Sequence, residues 1–211
     1  MGPGQEGPVG NELAIDRQLP VDTLLKGQGA PLYVFGWLGH ENRMGELANL
    51  KYEYDPERAR ELLAEAGYSN GFEINMALTT RPFPGTVQMG EMACLMWEEI
   101  GIRCSQTRSQ MSAFRPSFVD RSWEGLNTHG VGPLPEPLVT YSTSLVSSGA
   151  INYGIEHPFL EAKIAEAMST FDDEARFEVQ REIARWVFNN ALIIPMYRVG
   201  WIFPLGPRID V

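Results

Sequence analysis

YDPERARELLAEAGYSNGFEINMAL, residues 54–78, is the stretch that decides the fold of this chain. Asp55 is a good helix N-cap, and Pro56 stands at the first helical position, where its missing N–H costs nothing. Gly67 can adopt the left-handed conformation that ends a helix. The apolar residues between them recur with the spacing of one helix face: Ala59, Leu62, Leu63 and Ala66. The stretch therefore predicts a capped helix over 56–66.

A βαβ unit is predicted directly after this helix. Apolar and polar residues alternate over 72–78 with the period of a strand. The apolar spacing becomes helical again over 85–100, and a second short strand is predicted over 102–107. A strand, a helix and a strand in such close succession indicate parallel strands joined by a right-handed crossover.

The rest of the chain continues the alternation of helices and strands. Residues 1–11 are predicted to be a flexible leader, and 32–50 a surface connection that exposes Trp37 and His40. Residues 132–137, GPLPEP, cannot be regular structure because three prolines remove donors and fix φ. Helices are predicted over 16–26, 111–120 and 158–168 and after an Asp172 cap, and strands over 124–131 and 192–196. These patterns predict an α/β fold with a mixed sheet flanked by helices.

Composition and charge exclude several classes of function. The net charge is −10, and no cluster of Lys and Arg appears that could replace counterions along nucleic acid. The first residues have neither a positive nor an apolar region, so we predict no signal peptide in this chain. No apolar stretch approaches the length of a membrane span.

Catalytic and metal-binding motifs are incomplete. His40 and Glu41 begin a zinc-protease motif, but Met44 stands where its second histidine belongs. We therefore predict a protein that is not an enzyme, with no catalytic residue, metal or cofactor. A small hydrolase that uses His129 or His157 is an alternative, since a triad can assemble in space.

The two cysteines, Cys94 and Cys104, leave two interpretations open. The favoured one is a pair of small buried apolar residues, and the alternative is a disulfide.

Three stretches together resemble a known family of transport proteins. They are AIDRQ at 14–18 with LLKG at 24–27, the signature at 54–68 with its following Gly71-Phe72, and the ending that runs from 152 to IPMY at 194–197. Their order and spacing are similar to those of family 5 of the ABC-transporter solute-binding proteins, the peptide, nickel and oligosaccharide type.

The resemblance implies a two-lobed, class II periplasmic-binding-protein-like fold with a ligand cleft between the lobes. All three stretches belong to the second lobe, so residues 12–211 are expected to form a C-terminal lobe without its N-terminal partner. The parent protein is expected to be extracytoplasmic, periplasmic or lipid-anchored, and to deliver a small polar solute such as a peptide or oligosaccharide to an ABC permease. An alternative is a self-associating module that uses the face left by the missing lobe.

Candidate ligand-binding residues follow from the same comparison. Aligned by its final proline at Pro137, the family's G-W-x-A-D-Y-x-D-P loop has Gly130 at the tryptophan position and Pro133 at the aspartate position. A proline cannot anchor an ammonium group, which favours a solute other than a peptide held by that carboxylate. Strand ends in α/β sheets, polar residues before this loop and aromatic rings supply further candidates. The candidates are Thr80, Arg81, Trp123, Asn127, His129, Glu136 and Trp37.

Overall fold

The computed structural model describes residues 7–80, 85–151 and 153–200 of the chain. Helices and short strands alternate along it, with two 3₁₀ turns, Glu41–Arg43 and Gly45–Asn49. The helices are α1 Gly7–Leu13, α2 Gln18–Thr23, α3 Pro56–Glu65, α4 Thr86–Glu99, α5 Met111–Asp120, α6 Pro137–Ser144, α7 Pro158–Ser169 and α8 Asp173–Asn189. The strands are β1 Gly29–Pro31, β2 Phe72–Thr80, β3 Ile102–Gln110, β4 Leu126–Asn127 and β5 Tyr197–Val199.

The capped helix is confirmed as α3. The Asp55 side chain accepts a hydrogen bond from the backbone N–H of Arg58, at 2.9 Å. Ala59, Leu62 and Leu63 are buried, so three of the four residues of the predicted apolar stripe pack inward, whereas Ala66, the residue after the helix, is exposed. Gly67 has φ +91°, the left-handed conformation that ends the helix.

The parallel βαβ unit is also confirmed. β2 and β3 pair in parallel over their whole length, from Phe72 beside Ile102 to Thr80 beside Gln110. The strand predicted over 124–131 is only the two residues of β4, which pair in parallel with the other edge of β2. Gly125 precedes β4 with φ +87°, a conformation that cannot continue a strand, which explains the late start.

A second, antiparallel pair forms away from this sheet. β1 pairs with β5, so that parallel and antiparallel pairs lie in two separate sheets of the α/β fold. The prediction of a strand over 192–196 is wrong, because regular pairing begins only at Tyr197. Pro195 has no N–H to donate, and its carbonyl accepts from the Arg17 side chain instead of from a strand.

Two groups of buried residues form the core. The helical cluster joins the segment 33–50 to α6, α7 and α8, with Tyr141, Leu160, Ile164 and Ile183 at its centre. The sheet cluster lies among α3, α4, β2 and β3, with Leu78, Cys94, Trp97 and Ile102 at its centre.

Two predictions about chain ends and connections are corrected by this packing. Val34, Trp37 and Leu47 are buried in the helical cluster, so 32–50 is not a surface connection. α1 begins at Gly7, within the predicted leader, and the Asn11 carbonyl accepts a hydrogen bond from Trp97 Nε1, at 3.0 Å. Residues 7–11 are thus part of the folded structure, while residues 1–6 lie outside the described residues.

The two cysteines are joined. Cys94 on α4 and Cys104 on β3 form a disulfide, with their Cα atoms 5.7 Å apart. The favoured interpretation of two unbonded residues is therefore wrong, because α4 lies along β3 and brings the thiols together.

Candidate functional site

A cleft of about 410 Å³ is lined by residues of both core clusters. Phe35, Ile155 and Leu192 line it from the side of the helical cluster, and Met76 and Trp97 from the side of the sheet cluster. A volume of this order lies at the lower end of the range of small-molecule sites.

The end of β2 fixes one wall of this cleft. Thr128, the residue after β4, donates its backbone N–H to Ala77 O at 2.9 Å, and its Oγ1 accepts from the Thr79 N–H at 2.9 Å. Thr79 Oγ1 donates to Thr128 O in return. This reciprocal pairing holds Asn127 and His129, the residues on either side, in the cleft lining.

Aromatic rings form a continuous wall. The His129 ring meets Tyr153 edge to face at 5.2 Å between centroids, and Phe35 meets Tyr153 at 6.2 Å. Trp123 meets Phe118 edge to face at 6.1 Å, and Phe118 also contacts His129. Phe35, Trp123, His129 and Tyr153 line the cleft and are half-buried, so each retains surface for another ring.

A further part of the lining is apolar and comes from α4. Met89 and Ala93 line the cleft there beside Trp97. A Cβ at Gly90 would lie 2.4 Å from Leu78 Cδ2 and 2.5 Å from Thr128 Cγ2. Glycine at this position therefore lets α4 approach the sheet closely enough to close this side.

The cleft carries little charge. Among the lining residues that the structure describes, Arg198 is the one with a charged side chain, and it contacts Glu41 at 3.4 Å. An ionic solute would find no unpaired countercharge there.

A buried ion pair lies next to two residues of the cleft lining. Arg17 is 3% exposed, and it bonds Glu12, which is fully buried, while its Nε donates to Pro195 O at 2.7 Å. Burial raises the pKa of Glu12 to about 7, although Arg17 acts to lower it. Because Asn11 and Pro195 line the cleft, this pair connects the start of the chain to the returning segment at the cleft wall.

The comparisons with known proteins agree with this architecture. A model of bacterial extracellular solute-binding proteins, family 5, middle region, matches residues 12–152. The chain belongs to this family. The predicted resemblance is confirmed, and the members of the family are extracytoplasmic proteins that bind substrates without catalysing a reaction.

Two curated relatives of this family 5 chain have names that state a ligand. The chain is 28% identical over 210 residues to heme-binding protein A of Haemophilus influenzae. The alignment covers 93% of this chain and 37% of that protein. It is 28% identical over 140 residues to the dipeptide-binding protein of Escherichia coli. That alignment covers 62% of this chain and 26% of that protein. The chain thus spans little more than a third of the longer match.

Solved structures show the same fold. A dipeptide-binding protein from Pseudoalteromonas, in complex with Met-Leu, superposes with a TM-score of 0.77 at 17% identity, over 93% of this chain and 40% of that chain. HbpA2 from Haemophilus parasuis superposes with a TM-score of 0.75 at 22% identity, over 92% and 39%. The predicted class, α/β with helices around the sheets and the extent of one lobe, is confirmed.

Three of the predicted site residues of this family 5 lobe come together. Trp123, Asn127 and His129 all line the cleft. Thr80 does not: it is exposed at the end of β2, where its Oγ1 donates to Ser109 O at 3.3 Å. Arg81 lies outside the described residues.

Two other candidates have structural roles. Trp37 is only 1% exposed, and its Nε1 donates to Tyr141 Oη at 2.7 Å, so the prediction of an exposed ring is wrong. The cause is that the segment 33–50 packs into the helical cluster. Glu136 is the residue before α6 and pairs with Arg176 at 3.1 Å, which orders the proline-rich loop outside the cleft lining.

The other two histidines, His40 and His157, contact backbone atoms. His40 Nε2 lies 2.8 Å from Leu134 O, and His157 Nδ1 accepts from the Phe159 N–H at 3.2 Å as the cap of α7. Within residues 7–80, 85–151 and 153–200, no group of His, Cys, Asp and Glu could hold a metal ion. No helix in that part of the chain is both long and apolar enough to cross a bilayer.

Sequence reasoning missed Phe35 and Tyr153. Both lie in connecting segments without a helical or alternating pattern, and only the packing of those segments brings them beside His129. Their aromatic character was the one available signal, since exposed-loop aromatics are common in recognition sites.

Proposed function

We propose that this chain is the lobe of an ABC-import solute-binding protein that supplies one side of the ligand cleft. The observation that carries the proposal is the cleft of about 410 Å³ in a chain of family 5, with the aromatic wall half-buried and open. The names of the two curated relatives state heme and dipeptides as ligands, so related proteins bind solutes of very different polarity.

Binding requires closure against a second lobe in this proposal. A solute in the cleft stays hydrated on the side that the partner would cover, so the chain alone is expected to bind weakly. Delivery to a permease and an extracytoplasmic location follow from the family and belong to the same proposal.

A blocking variant tests the proposal. Gly132 lines the cleft, and a Cβ at this position meets no atom within 4 Å, so Gly132→Trp is designed to place an indole ring in the cleft without a clash at its Cβ. Phe171→Trp is the matched control, because Phe171 is 97% exposed and is not a lining residue. Both variants add a tryptophan.

The readout is amide chemical-shift mapping of the chain with millimolar dipeptides, maltotriose or nickel–histidine. We expect at least one of these solutes to shift resonances of cleft residues in the native chain and in Phe171→Trp, but not in Gly132→Trp. The proposal is wrong if no solute moves a cleft resonance, or if the shifts persist when the cleft is filled.

A further inference from the structure

The cleft combines three features that together define a class of ligand. Its wall is made of half-buried aromatic rings, its described lining lacks an unpaired charge, and two buried side-chain oxygens in that lining, Asn11 Oδ1 and Asn127 Oδ1, have no hydrogen-bond partner within the described residues. Each feature excludes part of the range of solutes that the family takes.

The aromatic wall favours a planar ring. Aromatic pairs prefer edge-to-face or offset contacts with centroids about 4.5–7 Å apart. His129 and Tyr153 meet at an interplanar angle of 65°, and Phe35 and Tyr153 at 61°. Rings arranged edge to face present both faces and edges to the cleft, so an entering ring can continue the same pattern.

The lining disfavours a charged group. Arg198 contacts Glu41, so a carboxylate would compete with that partner and an ammonium group would have no acceptor of opposite charge among the described lining residues. An unpaired charge taken out of water costs far more than an apolar ring gains. The part of the solute that enters is therefore neutral.

Of these two oxygens, Asn127 Oδ1 belongs to the strand that leads to His129 of the aromatic wall. It is buried, and no donor among the described residues reaches it. The backbone of Asn127 is held by β4 pairing beside Ala77 and by the neighbouring Thr128–Thr79 bonds, and the terminal torsion of an asparagine side chain has a broad, roughly two-fold distribution. A buried acceptor without a partner costs free energy that a ligand donor would restore.

We infer that the cleft binds a neutral aromatic ring that carries a hydrogen-bond donor, such as an indole or a phenol, and that Asn127 accepts from the donor. This inference rests on the proposed function, and it adds a class of ligand group and a specificity-determining residue. The aromatic wall selects the ring, and the amide oxygen selects the N–H or O–H.

Indole and 1-methylindole form the matched pair of probes, because 1-methylindole keeps the ring and replaces the N–H donor with N–CH₃. Amide chemical-shift titrations of the native chain are expected to give roughly three- to tenfold tighter binding of indole, the range of one hydrogen bond. In Asn127→Leu the two probes are expected to bind equally, with 1-methylindole unchanged from the native chain. Phe171→Ala, which removes an exposed ring outside the cleft, should keep the native preference.

The possible results separate the two proposals. Equal binding of indole and 1-methylindole by the native chain overturns this inference, and that comparison does not depend on the folding of any variant. If glycylglycine shifts the cleft resonances and indole does not, the inference is wrong while the proposed function stands. If none of the three probes moves a cleft resonance, the inference is wrong, and the proposed function is wrong as well if maltotriose and nickel–histidine also leave the cleft resonances unchanged.

Discussion

A single hydroxyl group, that of Tyr141, connects the core to the cleft wall by hydrogen bonds. Its Oη accepts from Trp37 Nε1 at 2.7 Å and donates to Phe35 O at 3.0 Å, and Phe35 lines the cleft. Burial raises the pKa of this phenol, so it stays neutral and keeps its donor at all ordinary pH values.

Tyr141→Phe leaves the Trp37 N–H buried without this acceptor. We expect the free energy of unfolding to fall by about 1–3 kcal/mol, the cost of unsatisfied buried groups, in urea denaturation. Tyr68→Phe is the control, because Tyr68 is 50% exposed and should change stability by less than about 0.5 kcal/mol. Equal effects of the two substitutions would show that the Tyr141 bonds do not stabilise the fold.

Glu12 makes stability depend on pH. Its ordinary pKa of 4.5 is raised to about 7 in the folded chain, mainly by burial, while Arg17 opposes the shift. The folded state therefore holds the proton more tightly than the unfolded state. The stability from this group is complete below about pH 4.5 and is lost as the pH rises through 7.

Unfolding in urea at a series of pH values tests this sign. We expect the free energy of unfolding to decrease by on the order of 3 kcal/mol between pH 4.5 and 8 from this group. Glu12→Gln keeps a neutral side chain of the same shape and should remove that component of the slope. A Glu12→Gln chain with the native pH profile would contradict the prediction.

At the scale of elements, the disulfide ties α4 to β3 behind the apolar cleft wall. It closes a loop with a sequence separation of 10 between Cys94 and Cys104. Such a cross-link reduces the entropy of the unfolded chain, so the double variant Cys94→Ala/Cys104→Ala should lose about 2–3 kcal/mol of stability.

Reduction separates the cross-link from the packing of the sulfur atoms. The native chain in excess dithiothreitol is expected to lose most of the stability that the double variant loses. If reductant leaves the unfolding midpoint of the native chain unchanged while the variant is destabilised, the loss comes from side-chain packing and the bond itself contributes little.

Elements with a complete local pattern were predictable from sequence, and the others were not. α3 has its own cap, stripe and terminating glycine, and β2 its own alternation, so neighbours in sequence suffice. α6 begins at Pro137, inside a proline-rich loop, and β1 and β5 pair across 166 to 170 positions of sequence, from Pro31–Tyr197 to Gly29–Val199. Their formation depends on tertiary packing, which no short window contains.

The whole molecule explains why the candidate site was only partly predictable. Asn127 and His129 follow from their place beside a loop of the family, and the cleft confirms that they line a common space. Phe35 packs against the helical cluster and Tyr153 contacts Phe35, so both rings reach the cleft where the helical cluster packs beside the sheet cluster. The position of one cluster against the other depends on the complete chain. Residues that this contact brings to the cleft therefore have no pattern in their own sequence segments that predicts a place in the site.

This two-cluster arrangement predicts how core substitutions combine. Ile183 in the helical cluster and Ile102 in the sheet cluster are almost fully buried and belong to separate groups of contacts. Ile183→Val and Ile102→Val should each cost about 0.5–1.5 kcal/mol in urea denaturation, because each removes one buried methylene. The double variant should lose the sum of the two free energies within about 0.5 kcal/mol, since the effects of distant sites without shared partners are additive.

Ile183→Val with Ile164→Val, both in the helical cluster, is the control pair in which departure from additivity is expected. A coupling between Ile183 and Ile102 as large as that of the control pair would mean that the clusters repack as one core, and the cleft between them would then not be a rigid feature of the fold.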